Sequence, residues 1–209
     1  MEKLKNIDNE KIKLESCLIV VSGRPLSGKG YTCNKLNEIY DLRSIDIDEV
    51  RNDIDETRRN GGEVVLLEEK KEAEIITKAY IELCRRAKSE IILGKSVLIS
   101  GTFSRDELKD PLRDLVDYVN KMNIPFKIFL LTTNDDNVVM ERIEKRVREK
   151  SLSNIDSMEK YIWSKGFFKK IDFAPIVEID TTEEDYLVKV ENSISNSFLR
   201  KKELKLAQL

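Results

Sequence analysis

The sequence predicts a three-layer α/β fold, a parallel sheet of five strands with helices on both faces. Three observations carry that reading. Five short apolar runs alternate with helix-length amphipathic stretches, the pattern of successive strand-helix units. Those at 17–23 and 96–102 are apolar without alternation, as in strands covered on both sides. The first run ends in a glycine-and-lysine loop that leads straight into a helical pattern.

Taken in order, "CLIVVSG" at 17–23 is the first strand, and a helix follows from Lys29 to about Tyr40. "LRSIDID" at 42–48 alternates Ile45 and Ile47 with Asp46 and Asp48, a second strand with an acidic end. "RRNGG" at 58–62 is expected to be a mobile turn, and a long helix runs from Val64 to about Leu93, broken at Gly94. "SVLISGT" at 96–102 is the third strand, followed by a helix from about Arg105 to Met122 with Pro111 in an early turn or at a break. "FKIFLLTT" at 126–133 is the fourth strand, after which Asp135 or Asp136 caps a helix reaching about Lys150. Residues 151–168 read as loop plus helix, "APIVEID" at 174–180 as the fifth strand, and a last helix extends from about Thr182 past Leu199. At 209 residues one domain is expected, from 16 to 200, with an extension at 1–15 and a tail at 201–209.

Composition removes several chemistries. Histidine is absent, so a serine-histidine-aspartate triad, a cysteine-histidine pair and a histidine-bound metal are excluded. Any general base must be Asp, Glu, Lys or Tyr. The 37 Lys plus Arg against 39 Asp plus Glu leave a net charge of -2, so no overall field holds a polyanion and extended nucleic acid is not the expected partner. Cys17, Cys33 and Cys84 are odd in number and lack C-x-x-C spacing, which points to a reducing compartment and buried small side chains. No apolar run approaches the ~20 residues of a membrane span, and the charged start lacks a signal-peptide core. A cytoplasmic protein is expected.

The loop is "GRPLSGKGY", Gly23, Arg24, Pro25, Leu26, Ser27, Gly28, Lys29, Gly30 and Tyr31. Its spacing, G-x-x-x-x-G-K between strand and helix, is that of a phosphate-binding loop. Successive backbone N-H groups before a helix N-terminus form a donor nest for a β-phosphate, and the lysine reaches the β- and γ-phosphates. Gly30 stands where a Ser or Thr hydroxyl ordinarily ligates Mg²⁺. Mg²⁺ keeps several waters, so carboxylates can hold it through them.

Asp46 and Asp48 are two apart, which on a strand places both on one face at the end that opens on the ligand crevice. They are the candidates to hold Mg²⁺ through water, the competing reading being that Asp48 caps the next helix and Asp46 lies in a surface turn. Arg51 follows in a D-x-x-R string. There Asp48 can take a hydroxyl proton and Arg51 can bind a polar or anionic substrate group. In "ERIEKRVREK" at 141–150, Glu141 with Lys145 and Glu144 with Arg148 form i,i+4 pairs, leaving Arg142 and Arg146 on a shared face. Phosphoryl transfer needs such cations on the developing charge.

These features, in this order, resemble the P-loop kinases of the nucleoside-monophosphate-kinase-like class. The similarity extends to the branch that includes polynucleotide 5′-hydroxyl kinases, zeta-toxin-like and gluconate-kinase-like enzymes. It covers about residues 17–195 and includes "LISGTFSRDELKDPLRDL" after strand three and "VEIDTTEE" at strand five. The resemblance implies a sheet order of 2-3-1-4-5, with ATP in the loop and Mg²⁺ beside it. Asp48 would be the base, with Arg51, Thr102 and Arg105 on the acceptor side. Arg142 and Arg146 would be arginines of a helical lid at about 146–170, Arg146 also touching the nucleotide. Thr181 to Glu183 would lie near adenine. The chain departs from the class at Gly30 and at "SGT" 100–102, where an acid is common.

The leading expectation is therefore a kinase that transfers the γ-phosphoryl of ATP to a hydroxyl of a small molecule or nucleotide. Two others stay open. One is a nucleotide-binding regulatory protein with little or no turnover. The other is a polynucleotide 5′-hydroxyl kinase, which requires a basic channel at Arg51, Arg58, Arg59 and Arg105.

Overall fold

The computed structural model describes residues 11–55, 69–149 and 155–199. The expected turn at 58–62, Arg58 and Arg59, the first ten residues and the tail at 201–209 lie outside them. The elements run β1 (Leu18–Gly23), α1 (Lys29–Ile39), β2 (Arg43–Asp46), α2 (Ile47–Ile54), α3 (Glu69–Ile92) and β3 (Val97–Gly101). They continue with α4 (Asp106–Lys121), β4 (Phe126–Thr132), α5 (Asp136–Arg148), α6 (Met158–Gly166), β5 (Ile176–Asp180) and α7 (Tyr186–Phe198).

The five strands form one sheet in the order β2-β3-β1-β4-β5, every neighbour parallel. β1 is central, with Val20 level with Ile99 on one side and Ile128 on the other. Its six residues are all buried, which explains the apolar run. Leu18 and Val20 face the side covered by α2, α3 and α4, in a core with Val50, Leu83, Ile99 and Leu112. Ile19 and Val21 face α1 and α7, in a core with Leu36, Phe129, Val190 and Ile194. Each such side chain contributes about 1.5–3 kcal/mol of burial, so the sheet is the rigid floor on which the loops at its carboxyl end are fixed.

Helix ends follow local chemistry. Asp135 caps α5 by accepting from Asn137 N at 2.8 Å, and Ser157 caps α6 through Lys160 N. Pro111 lies inside α4 without ending it. Within the expected extension, Ile12 bridges Tyr40 at the end of α1, donating to Ile39 O and accepting from Asp41 N, both at 2.9 Å.

One element corrects the sequence reading. The second strand does not reach residue 48: it ends at Asp46, and Asp48 lies in the first turn of α2. The cause is Asp46 itself, whose Oδ1 accepts from Asp48 N at 2.8 Å and starts the helix. The two carboxylates therefore do not share a strand face.

Candidate active site

The loop from Gly23 to Lys29 joins β1 to α1 at the carboxyl end of the sheet. Gly23 has φ +149, and a Cβ there would stand 2.4 Å from Leu131 O and 2.5 Å from Ser27 Oγ, so only glycine fits. Gly28 has φ +84, a left-handed conformation, and is the N-cap of α1. Having no side chain, it leaves the first N-H groups of α1 without a side-chain cap, and the first turn holds no acidic residue. An uncapped N-terminus carries unsatisfied donors and about half a positive charge, so this end suits a phosphate.

Lys29 Nζ donates to Gly23 O at 2.8 Å and Arg24 O at 2.7 Å, folded over the loop. Burial brings its pKa down to about 8, with Arg146 pushing the same way and Asp46 and Asp48 opposing. Arg146 is lowered chiefly by burial, and Asp48 supports its charge. Lys29, Asp48 and Arg146 thus share one electrostatic neighbourhood although they come from α1, α2 and α5. Asp48 is exposed.

Asp46 is committed elsewhere. Besides capping α2, its Oδ2 accepts from Ser100 Oγ of β3 at 2.6 Å, so both oxygens have partners. No cluster of three or more metal-binding side chains occurs among the described residues. The donor set fits Mg²⁺ held mainly by phosphates and water, with Asp48 and the already bonded Asp46 as outer partners. At Gly30 nothing lies within 4 Å of where a Cβ would be, so the missing hydroxyl leaves open space beside the loop.

Arg142 occupies a different position from its neighbour Arg146. Its Nη1 donates to Leu26 O at 2.7 Å and to Thr133 Oγ1 and Thr181 Oγ1 at 3.0 Å, and its Nη2 to Thr181 O at 3.3 Å. It ties the phosphate loop to the ends of β4 and β5. Thr181 is buried and sits 3.6 Å from where a Gly28 Cβ would be, so the start of the loop after β5 lies against the loop after β1.

Arg51 Nη2 pairs with Glu72 Oε1 of α3 at 2.6 Å, while its buried Nε has no hydrogen-bond partner among the described residues. Thr102 is fixed by Tyr80 of α3: the hydroxyls are 3.0 Å apart, and Thr102 N donates to Tyr80 Oη at 2.9 Å. Arg105 is the exposed residue before α4. Arg24 lies over the Phe168 ring at 5.4 Å. It lines, with Ser27, Thr133 and Tyr161, a cleft of about 120 Å³ beside the loop. Ser27 Oγ in that cleft is buried and without a partner among the described residues. A second hollow, about 150 Å³ at the β2 edge, is lined by Arg43, Arg86 and Glu90. Arg43 pairs with Glu90 and Arg86 with Asp53 and Glu82, so it is a salt-bridge network away from the loop.

Burial pushes the thiols of Cys33 and Cys84 up to about 12 and that of Cys17 to about 11, so none is a nucleophile near neutral pH. Sequence reasoning missed Glu72, Tyr80 and Ser100, which hold Arg51, Thr102 and Asp46. Glu72 and Tyr80 look like ordinary positions of an amphipathic helix, and only the fold reveals what each one meets.

The sequence profile of a family described as the AAA domain matches residues 22–159. No curated protein matches the chain. A sugar kinase from Janibacter sp. HTCC2649 is similar in structure, with 15% identity, TM-score 0.57, and 85% of this chain and 92% of that one covered. A kinase candidate from Chloroflexus aurantiacus has 15% identity and TM-score 0.66, with 87% and 97% covered. The likeness is one of fold, a five-stranded parallel sheet in the order β2-β3-β1-β4-β5 with helices on both faces.

Proposed function

We propose that this chain, which belongs to the AAA domain family, is a kinase that transfers the γ-phosphoryl of ATP to a hydroxyl of a small molecule. The observation that carries the reading is the convergence of Lys29, Asp48 and Arg146 beside an uncapped α1 N-terminus. A protein that only binds nucleotide needs the loop but not an exposed carboxylate facing it.

In this reading the loop amides and Lys29 bind the phosphates, Lys29 exchanging two carbonyls for the more strongly attracting anion. Asp48 orients the acceptor hydroxyl and receives its proton as the oxygen attacks. Arg146 stabilises charge on the transferred group, and Arg142 holds the loop in shape from behind. Arg51, with Thr102 and Arg105 nearby in the chain's acceptor-side segments, contacts the acceptor. Mg²⁺, held through Asp46 and Asp48 by water, would neutralise phosphate charge. The kinase domain spans 16–200, with a lid at about 146–170; its helix α6 meets the loop through Tyr161, which packs with Leu26. Three protonated, unpaired cysteines suit a reducing, cytoplasmic setting.

The test is phosphoryl transfer across a panel of hydroxyl acceptors by Asp48→Asn and Lys29→Ala proteins. Asp48→Asn is expected to keep ATP affinity and lose about 10²–10⁴-fold in transfer, while Lys29→Ala loses nucleotide binding. Transfer unchanged in Asp48→Asn would remove the base assignment. Gly30 favours one second reading, a nucleotide-binding regulator, which predicts binding without Mg²⁺-dependent turnover.

A further inference from the structure

We propose that Tyr31 is the stacking platform for the base of the donor nucleotide, an inference that rests on the nucleotide reading above and extends it to the base. Tyr31 lies in the first turn of α1, two residues beyond Lys29. At about 100° per residue the two side chains leave the helix on nearly opposite sides. Lys29 points toward the side of Asp48 and Arg146, which act on its charge. A nucleotide whose phosphates sit on the loop amides must therefore carry its sugar and base away from that side, toward Tyr31.

The surroundings of Tyr31 suit a base. Tyr31 is 57% exposed, so its ring is open to a flat ligand at the mouth of the crevice. Lys35 Nζ stands 5.9 Å from its centroid, leaving a face open. Tyr186, at the start of α7, is within electrostatic range of Tyr31 and is hydrogen-bonded to Thr32. Thr181, packed against Gly28, closes the inner end. Arg142, bonded to Thr181, is committed to Leu26, Thr133 and Thr181, so the aromatic ring supplies the flat surface. Stacking recognises a π-face rather than a base edge, so the ring adds affinity for ATP and GTP alike.

The experiment is calorimetric titration of the full chain, Tyr31→Ala and Tyr31→Phe with ATP, GTP and inorganic triphosphate, which has phosphates and no base. Tyr31→Ala is expected to weaken both nucleotides about tenfold or more and to leave triphosphate unchanged, while Tyr31→Phe retains nucleotide affinity. Equal losses for nucleotide and triphosphate, or no loss for either, would overturn the proposal alone. Wild-type protein that binds neither would overturn the nucleotide reading beneath it as well.

Discussion

Gly30 is the residue at which this loop departs most from a metal-ligating one, and its surroundings are open. Gly30→Thr should therefore fold with stability within about 0.5 kcal/mol of the parent, since helix propensity favours the change and no clash opposes it. If the site turns over ATP, the half-saturating Mg²⁺ concentration should fall in this variant. An unchanged Mg²⁺ dependence would show that the residue after Lys29 does not face the metal. Lys29 gives a second prediction. Its pKa near 8 in the unliganded loop means that phosphate binds the protonated form and draws protons as pH rises. ATP affinity should be flat below about pH 7 and fall as pH climbs past 8, by up to about tenfold per unit. The stability effect has its own sign: a lysine depressed on folding disfavours the native state at pH values below 8, and the penalty is relieved as pH rises from 8 toward 10.5. Calorimetry across pH for Lys29 and Lys29→Met proteins reads both.

At the scale of elements, two clamps set the site. Arg142 joins α5 to the phosphate loop and to the ends of β4 and β5 by four hydrogen bonds. Arg142→Ala should cost about 2–3 kcal/mol in denaturant unfolding, because charged bonds are lost and acceptors are left unpaired; a loss below half that would contradict the clamp. Tyr80 fixes the turn after β3 through Thr102 and Phe103 N-H groups. Tyr80→Phe strands those donors and should cost about 1–3 kcal/mol, with protection of the Thr102 amide from hydrogen exchange falling in parallel. The buried strands were legible in sequence because runs such as 17–23 and 96–102 have no solvent face to blur the pattern. The end of β2 was not, because Ile45, Asp46, Ile47 and Asp48 alternate as a strand does, and the hydrogen bond from Asp48 N to Asp46 that starts α2 overrides the alternation. The phosphate loop was legible since it is local, whereas the Arg51–Glu72 pair spans 21 positions and needs the fold to bring α2 and α3 together.

Over the whole molecule, the parallel sheet collects groups from distant segments at one end. The loop after β1, Asp48 after β2, Thr102 after β3, Arg142 and Arg146 after β4, and Thr181 after β5 all follow the carboxyl ends of strands, where open α/β sheets bind ligands. The order β2-β3-β1-β4-β5 sets β1 at the centre, so Asp48 and Thr102 follow β2 and β3 on one side of the loop and the arginines and Thr181 follow β4 and β5 on the other. No helix among the described residues is long and apolar enough to cross a membrane. The central claim is that this end of the sheet binds ATP and activates its γ-phosphoryl. Its most direct test is a calorimetric titration of the full chain with ATP, with and without Mg²⁺, with ADP release followed in the same samples. The account predicts micromolar binding that Lys29→Ala abolishes, with slow ADP release that requires Mg²⁺ and Asp48. No binding at millimolar ATP, or binding that survives Lys29→Ala intact, would contradict it.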